Sequence, residues 1–294
     1  MQASRSLRMV TGKTRIVAVW GYPVGHSRSP AMHNAALAEL GLDWVYVPFE
    51  VSPQQLETAL RAIPALGILG VNLTVPLKEL AVPLVDDLDP AASMIGSINT
   101  VVNKQGRLRG LSTDGPGFLW DLERKHIEPD GWTVLIWGAG GSAKAVAFAL
   151  VARGCRVMIA NRTADRARAL ARALGECADW VDWGSERYEE AVRSARLLVN
   201  TTSLGMIPAH ADEMPPVPPG TLRSGQIVYD LVYAPAQTRL IREARAARCR
   251  AFNGLGMLVC QGALSLSEWS GLPLSGIPIE TMMRAASDSL RDTV

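Results

Sequence analysis

The sequence has little cysteine, almost no net charge and no long hydrophobic run, and each absence excludes a class of protein. Its four cysteines form no CxxC pair, which argues against a disulfide scaffold and a structural zinc site. The 30 basic and 28 acidic side chains leave a net charge of +2, too little to hold the protein on nucleic acid or on an anionic membrane. The apolar run at 16–20 is too short for a signal peptide or a membrane span. We therefore expect a cytoplasmic protein that acts on a small molecule.

The composition is that of a folded chain with full cores. Hydrophobic residues make up 48% and charged residues 20% of the sequence, unlike the composition of disordered chains. Its 294 residues suggest two domains, since a domain averages about 150 residues. Residues 1–13 are interpreted as a polar tail.

The clearest structural pattern lies in the middle of the chain. At 131–146 a short apolar run is followed by glycines and then by an alanine-rich stretch, which is typical of a buried parallel strand that enters a helix. Further apolar runs at 156–160, 197–201, 227–231 and 249–253 alternate with helical stretches such as 164–173 and 235–248. This alternation predicts a doubly wound, Rossmann-like α/β domain.

A second α/β unit precedes this domain. Strands are predicted at 15–21, 44–49, 68–73 and 97–103, and helices at 30–40 and 53–63. The C-terminal stretches 257–269 and 278–290 are helical without a sheet of their own, so we expect them to pack on the first unit.

The glycine-rich segment 138–143 fits the dinucleotide fingerprint G-x-G-x-x-G/A between a strand and a helix. Its glycines allow backbone N–H groups to approach a pyrophosphate at the positive end of the helix. The next strand ends without the carboxylate that binds the ribose hydroxyls of NAD. It is followed instead by Arg162 and Arg166, which favour the 2′-phosphate of NADP.

Two further polar segments are candidates for a substrate site. Ser29 is predicted to cap a helix whose first residue is Pro30, and with Ser27 it could either bind a carboxylate or serve the helix alone. Asn72, Thr74 and Lys78 follow one strand, and Asn99 and Asp114 occupy comparable positions. Because ligands collect at the carboxyl ends of strands, these groups could converge. His26 and His33 have no third ligand nearby, so we predict no metal site.

The ordered motifs GxPVxHSxSPxxHN, NxTVPxK, INT, TDGxGF, GAGGSA, NRT, NTTSxGM, YDxxYxPxxT and NGxGMLxxQG resemble those of the shikimate dehydrogenases, over residues 14–290. The resemblance implies an enzyme that uses NADPH to reduce 3-dehydroshikimate reversibly to shikimate. It implies a substrate domain at 1–114, an inserted NADP-binding Rossmann domain at 115–253, and helices at 254–294 that return to the first domain. We expect a monomer or a homodimer.

The resemblance also implies roles for individual residues. Lys78 and Asp114 form the catalytic pair, and Lys78 exchanges a proton with the substrate oxygen. The substrate carboxylate is held by Ser27 and Ser29, with Tyr233 nearby. The ring hydroxyls are held by Asn72, Thr74, Asn99, Asp114 and Gln261. The NADP phosphates and adenosine are bound by Gly138, Ala139, Gly140, Gly141, Ser142, Asn161, Arg162, Thr163 and Arg166. The nicotinamide is lined by Leu231, Gly254 and Met257.

Three alternatives remain open from the sequence. A quinate/shikimate dehydrogenase of broader specificity would share most motifs. A methylene-tetrahydrofolate dehydrogenase would share the two-domain plan, but would not explain Ser27, Ser29 and Gln261 together. A binding module that senses NADP without turnover would have no reason to keep Lys78 and Asp114.

Overall fold

The computed structural model describes residues 10–291 and contains two six-stranded sheets with helices on both faces. Residues 1–9 of the predicted polar tail lie outside the described residues. In chain order the elements are β1 (Arg15–Gly21), α1 (Ser29–Glu39), β2 (Trp44–Glu50), α2 (Leu56–Ala65), β3 (Gly70–Leu73), α3 (Leu77–Leu80), β4 (Asp87–Leu88), α4 (Pro90–Ile95), β5 (Thr100–Lys104), β6 (Arg107–Leu111), α5 (Asp114–Arg124), β7 (Thr133–Trp137), α6 (Gly141–Ala152), β8 (Arg156–Ala160), α7 (Ala164–Leu174), β9 (Ala178–Val181), α8 (Glu186–Ser194), β10 (Leu197–Asn200), β11 (Ile227–Asp230), α9 (Arg239–Ala246), β12 (Arg250–Asn253), α10 (Leu255–Ser270) and α11 (Ile279–Arg291).

The first sheet has the order β2-β1-β3-β5-β6-β4, with β2, β1 and β3 parallel and β5 antiparallel to its neighbours. Residues of β1 are buried on both faces. Val17 and Val19 face one core with α1, α10 and α11, whereas Ala18 and Trp20 face another core with α2. The C-terminal helices therefore pack on the first sheet, because their apolar faces complete a core that α1 alone leaves open.

The second sheet is entirely parallel, with the order β12-β11-β10-β7-β8-β9. The order reverses between β7 and β10, and this is where ligands bind in doubly wound folds. The predicted Rossmann-like arrangement is confirmed.

Several predicted boundaries were wrong. The strand predicted at 97–103 begins at Thr100, and the helix predicted at 235–248 begins at Arg239, because the Thr238 hydroxyl caps it by accepting from the Ile241 amide at 3.3 Å. Seven elements were not predicted. They include β6, in which arginines interrupt the alternation of apolar and polar residues, and α5, whose sequence begins Asp-Gly-Pro-Gly. The other five are the short elements α3, β4, α4 and β9 and the helix α8.

Helices α5 and α10 connect the two units, since α5 follows β6 of the first sheet and α10 follows β12 of the second. They pack closely at two glycines. A Cβ on Gly117 would lie 2.6 Å from the Gln261 amide nitrogen, and one on Gly256 would lie 2.0 Å from an Asp121 carboxylate oxygen. The domain boundaries predicted at 114/115 and 253/254 fall at the starts of these two helices.

This packing predicts that Gly117→Ala destabilises the protein. The added methyl meets backbone, which cannot yield easily, and the clash should outweigh the helix propensity that alanine gains. We expect a loss of about 1–2 kcal/mol in the free energy of unfolding, measured by urea denaturation. Gly12→Ala is the matched control, because nothing lies within 4 Å of a Cβ there. Equal stability of the two variants would contradict the close packing of α5 on α10.

Candidate active site

Lys78 and Asp114 form an ion pair on the side of the first unit that faces α6 of the second. Lys78 lies on α3, just after β3, and Asp114 is the first residue of α5; their side chains are 14% and 7% exposed. The Lys78 ammonium donates to Asp114 Oδ2, while Asn99 Nδ2 donates to Asp114 Oδ1 at 2.9 Å. The carboxylate also lies at the positive end of α5, which favours its charge. This pair is therefore nearly buried yet has partners for both charges, as a stable internal ion pair requires.

A buried amide network surrounds the pair. Asn99 lies immediately before β5 and donates from Nδ2 to Gln261 Oε1 on α10 and to Thr113 Oγ1, at 2.9 and 2.8 Å. Its Oδ1 accepts from the Thr113 amide at 2.7 Å. The structure thus brings Lys78, Asp114, Asn99 and Gln261 together from four separate segments.

Asn72 is joined to this network through hydroxyl groups. Its Nδ2 donates to Ser265 Oγ at 2.9 Å and to Thr100 Oγ1 at 3.1 Å, and Thr100 Oγ1 lies 3.3 Å from Thr113 Oγ1. Asn72 Oδ1 accepts from the Tyr46 phenol at 2.7 Å. Burial raises the pKa of Tyr46 well above its ordinary value, so the phenol is a neutral donor. Thr74 follows at the end of β3, and within residues 10–291 its side chain makes no hydrogen bond.

The predicted cap at Ser29 was wrong. The helix begins at Ser29 rather than Pro30, Arg28 occupies the N-cap position, and no side chain caps the helix. Ser29 is buried, and its side chain lies near the Tyr46 phenol, where it acts to lower the pKa of that phenol against the larger effect of burial. The Ser27 hydroxyl accepts from the Ser29 amide at 3.3 Å. Both serines still lie at the start of α1, beside the end of β1.

Tyr233 reaches this region from the second unit. Its phenol lies close enough to Arg28 for the charge and backbone of that residue to lower its pKa, which places it near Ser27 and Ser29 at the start of α1. Burial raises its pKa, against a smaller opposing effect of the Arg28 charge.

His33 lies on α1, stacked on Tyr46 with ring centroids 4.2 Å apart, and burial lowers its pKa to about 3. His33 is therefore neutral, and burial likewise lowers the pKa of His26.

The glycine-rich loop closes the site from the other side. Gly138 has φ +116°, and a Cβ there would lie 2.3 Å from Thr201 Oγ1, so only glycine fits between β7 and the segment after β10. Helix α6 begins at Gly141 without a side-chain cap, and its first N–H groups have no partner within the helix. The loop therefore fits a pyrophosphate. Its residues are Gly138, Ala139, Gly140, Gly141 and Ser142.

The segment after β8 fits the adenosine end of the cofactor. Asn161 Nδ2 donates to the Thr163 carbonyl at 2.9 Å and holds the turn. Arg162, Thr163 and Arg166 lie at the surface of this turn, and within residues 10–291 neither arginine forms an ion pair. The turn therefore presents two exposed guanidinium groups, which are suited to binding a phosphate.

Leu231, Gly254 and Met257 meet at the carboxyl ends of β11 and β12. A Cβ on Gly254 would lie 2.0 Å from the Leu231 carbonyl oxygen, so glycine is required for this close approach. The Met257 amide donates to the Tyr229 phenol oxygen at 3.3 Å. These three residues line the same sheet edge as the glycine-rich loop.

Sequence reasoning missed several residues that hold the site. Tyr46, Thr113 and Ser265 were not singled out, although Thr113 lies in the TDGxGF motif. Asp230, of the YDxxYxPxxT motif, accepts from Asn200 Nδ2 at 2.8 Å and from the Thr238 hydroxyl at 2.6 Å, which fixes the loops after β10 and β11. Burial raises the pKa of Asp230 to about 6 in spite of these donors.

Residues 10–291 contain neither a metal site nor a membrane-spanning helix. No group of three or more histidine, cysteine, aspartate or glutamate side chains is arranged to hold a metal ion. None of the helices there is both long and apolar enough to cross a bilayer.

Comparison with known proteins shows relatives over almost the whole chain. Residues 19–101 match the shikimate dehydrogenase substrate-binding domain, and residues 122–213 match the shikimate/quinate 5-dehydrogenase family. An NADP-dependent shikimate dehydrogenase of Methanopyrus kandleri is 44% identical over 96% of this chain and 98% of its own length.

Solved structures agree with the sequence relatives. The shikimate 5-dehydrogenase of Thermus thermophilus, in complex with NADP(H) and shikimate, is 40% identical with a TM-score of 0.85 over 94% of this chain and 99% of that one. A quinate dehydrogenase from Corynebacterium glutamicum in complex with NAD is 31% identical, with a TM-score of 0.84 over 94% and 99% of the two chains. By identity and coverage, the chain belongs to the shikimate dehydrogenase family.

Proposed function

We propose that this protein catalyses the reversible, NADP-dependent reduction of 3-dehydroshikimate to shikimate, in the biosynthesis of chorismate and the aromatic amino acids. The observation that carries the proposal is the nearly buried Lys78–Asp114 pair, which faces a loop built for a dinucleotide. The NADP-dependent shikimate dehydrogenases among its relatives support the choice of substrate and cofactor. The biosynthetic role of this family supports a cytoplasmic location, and the protein acts on a small molecule as a monomer or a homodimer.

Lys78 is the proton donor of the proposed mechanism. NADPH, when bound, supplies a hydride to the substrate carbonyl carbon. Negative charge then develops on the carbonyl oxygen, and a fixed cation with an acidic proton stabilises it. Lys78 gives this proton to the oxygen during reduction and takes it back during oxidation. Asp114 holds the ammonium in place and accepts from the neighbouring substrate hydroxyl.

The substrate is oriented by groups on either side of the pair. Ser27, Ser29 and Tyr233 converge near the start of α1 and bind the carboxylate. The ring hydroxyls are held by Asn72, Thr74, Asn99, Asp114 and Gln261. Because these amides already hold one another in position, they are ordered before the substrate arrives, which lowers the entropy cost of binding.

The cofactor is proposed to lie along the edge of the second sheet. The free N–H groups at the start of α6 bind the pyrophosphate, and Arg162 and Arg166 bind the adenosine 2′-phosphate. Leu231, Gly254 and Met257 line the nicotinamide.

A second candidate is a quinate/shikimate dehydrogenase. The observation in its favour is the similarity to the Corynebacterium quinate dehydrogenase, whose fold matches this one as well as that of the Thermus enzyme. The fold therefore does not separate the two substrates, and the contacts to the carboxylate-bearing carbon must do so.

Replacing Lys78 tests the chemistry. Lys78→Ala removes the proton donor, so we expect kcat to fall about 10²- to 10⁴-fold with a smaller change in the KM for shikimate. Steady-state kinetics in the oxidative direction measures this, with Lys104→Ala as an exposed control. Asp114→Asn should impair both turnover and binding. A Lys78→Ala enzyme with near-normal turnover would remove Lys78 from the mechanism.

Replacing Arg162 tests the cofactor assignment. Arg162→Ala removes a charge-assisted contact to the 2′-phosphate, worth about 1.5–3 kcal/mol, so the KM for NADP should rise more than tenfold. Kinetics with NAD should stay nearly unchanged, because NAD lacks this phosphate. Arg172→Ala, exposed on the helix that follows, is the control. An equal rise in KM for NADP and NAD would show that Arg162 does not bind the 2′-phosphate.

The ratio of kcat/KM for shikimate to kcat/KM for quinate distinguishes the two candidate functions. Quinate carries an extra hydroxyl on the carbon that bears the carboxylate, and Ser29 is buried near the Tyr46 phenol, which restricts the direction of its side chain. Unless it is bonded by Tyr233 or by Ser112, a buried residue directly after β6, this hydroxyl is buried without a partner, which costs about 1–3 kcal/mol. We expect kcat/KM for shikimate to exceed that for quinate by roughly tenfold to a hundredfold. A ratio near one, at saturating NADP, would favour the quinate/shikimate alternative.

A further inference from the structure

Ser142, in the glycine-rich loop, contacts both members of the Lys78–Asp114 pair. Lys78 Nζ donates to Ser142 Oγ at 3.1 Å, and Ser142 Oγ donates to Asp114 Oδ2 at 3.3 Å. The three groups form a closed triangle, in which the serine hydroxyl acts as acceptor and donor at once. Ser142 is the member of this triangle that comes from the second sheet.

The surrounding packing holds Ser142 in this place. Gly141 precedes it, and a Cβ there would lie 2.6 Å from Ser97 Oγ and 3.3 Å from Lys78 Cβ, so glycine allows α6 to approach the first unit. In the same first turn of α6, Lys144 Nζ donates to Glu79 Oε2 at 2.7 Å, and Glu79 is the neighbour of Lys78 on α3. The start of α6 is therefore docked on the segment that carries the catalytic lysine.

The hydrogen-bond partners of the Ser142 hydroxyl indicate a role other than phosphate binding. The pyrophosphate can be held by the free backbone N–H groups at the start of α6, which need no side chain. The Ser142 hydroxyl, in contrast, is occupied by an ammonium and a carboxylate of the other unit. A lysine side chain is long and flexible, so a second fixed contact restricts where its ammonium lies.

We propose that Ser142 is a positioning residue for proton transfer, and this inference rests on the proposed function. Ser142 and Asp114 each accept a hydrogen bond from one N–H of the Lys78 ammonium. The third N–H is then directed to the substrate oxygen. Because Ser142 belongs to the loop that binds the pyrophosphate, the position of the proton donor depends on the position of the cofactor loop. The hydroxyl thus aligns the acid with the nucleotide rather than binding the nucleotide itself.

The test separates turnover from cofactor binding. Ser142→Ala is expected to lower kcat about tenfold, the worth of one hydrogen bond to a charged group in the transition state. The Kd for NADPH, from fluorescence titration without substrate, should stay within about twofold. A raised Kd with unchanged kcat, or no change in either quantity, would overturn the proposal.

Two further variants distinguish the hydroxyl from the docking of the helix. Ser142→Thr keeps the hydroxyl and should restore most of the turnover. Lys144→Met breaks a partly exposed ion pair on the same turn, for which we expect less than a twofold change in kcat. If Ser142→Thr or Lys144→Met lowers kcat as much as Ser142→Ala, the effect belongs to helix docking and the proposal is wrong. Failure of the unmodified enzyme to oxidise shikimate would instead contradict the proposed function.

Discussion

The structure depends on keeping one ammonium and one carboxylate together in a place that water hardly reaches. Lys78 and Asp114 are charged groups from separate segments, and their burial costs free energy that only close pairing and further hydrogen bonds can offset. Asn99, Ser142 and the start of α5 supply these further interactions to the carboxylate. The elements that carry the pair must therefore be held in a fixed relative position, and much of the fold around it serves this requirement.

That requirement explains why glycines lie where helices meet. Gly117 lets α5 reach α10, Gly141 lets α6 reach the segment around Ser97, and Gly115 brings α5 against the Ala145 carbonyl. Each glycine removes a side chain at a point where two segments must approach. The same residues weaken the local helix signal in the sequence, since glycine is a poor helix former. Close contact between the units is thus obtained at the expense of intrinsic helix stability.

The same glycines limit how much of the structure could be predicted from the sequence. The doubly wound sheet was predictable because buried parallel strands give continuous apolar runs and the glycine-rich turn has a fixed place. Helix α5 was not, because its Asp-Gly-Pro-Gly start resembles a loop. The residues Lys78, Asp114 and Asn99 were identified by motif, but the hydroxyl contacts of Ser142 were not, because they arise between segments distant in sequence. A local rule assigned Ser29 to the cap of its own helix, whereas in the structure Arg28 occupies that position and no side chain caps the helix.

The two units are also coupled on the far side of the site, through a second buried carboxylate. Asp121 on α5 accepts from the Tyr229 phenol and the Lys125 ammonium, both at 2.6 Å, and the Tyr229 oxygen accepts from the Met257 amide. Burial raises the pKa of Tyr229 well above its ordinary value, so the phenol keeps its proton and remains a donor to Asp121. Asp121 therefore joins β11 of the second sheet to α5 and α10. Because α5 begins at Asp114 and α10 carries Gln261, the two helices proposed to bear substrate contacts are also fixed to the edge of the sheet proposed to hold the nicotinamide.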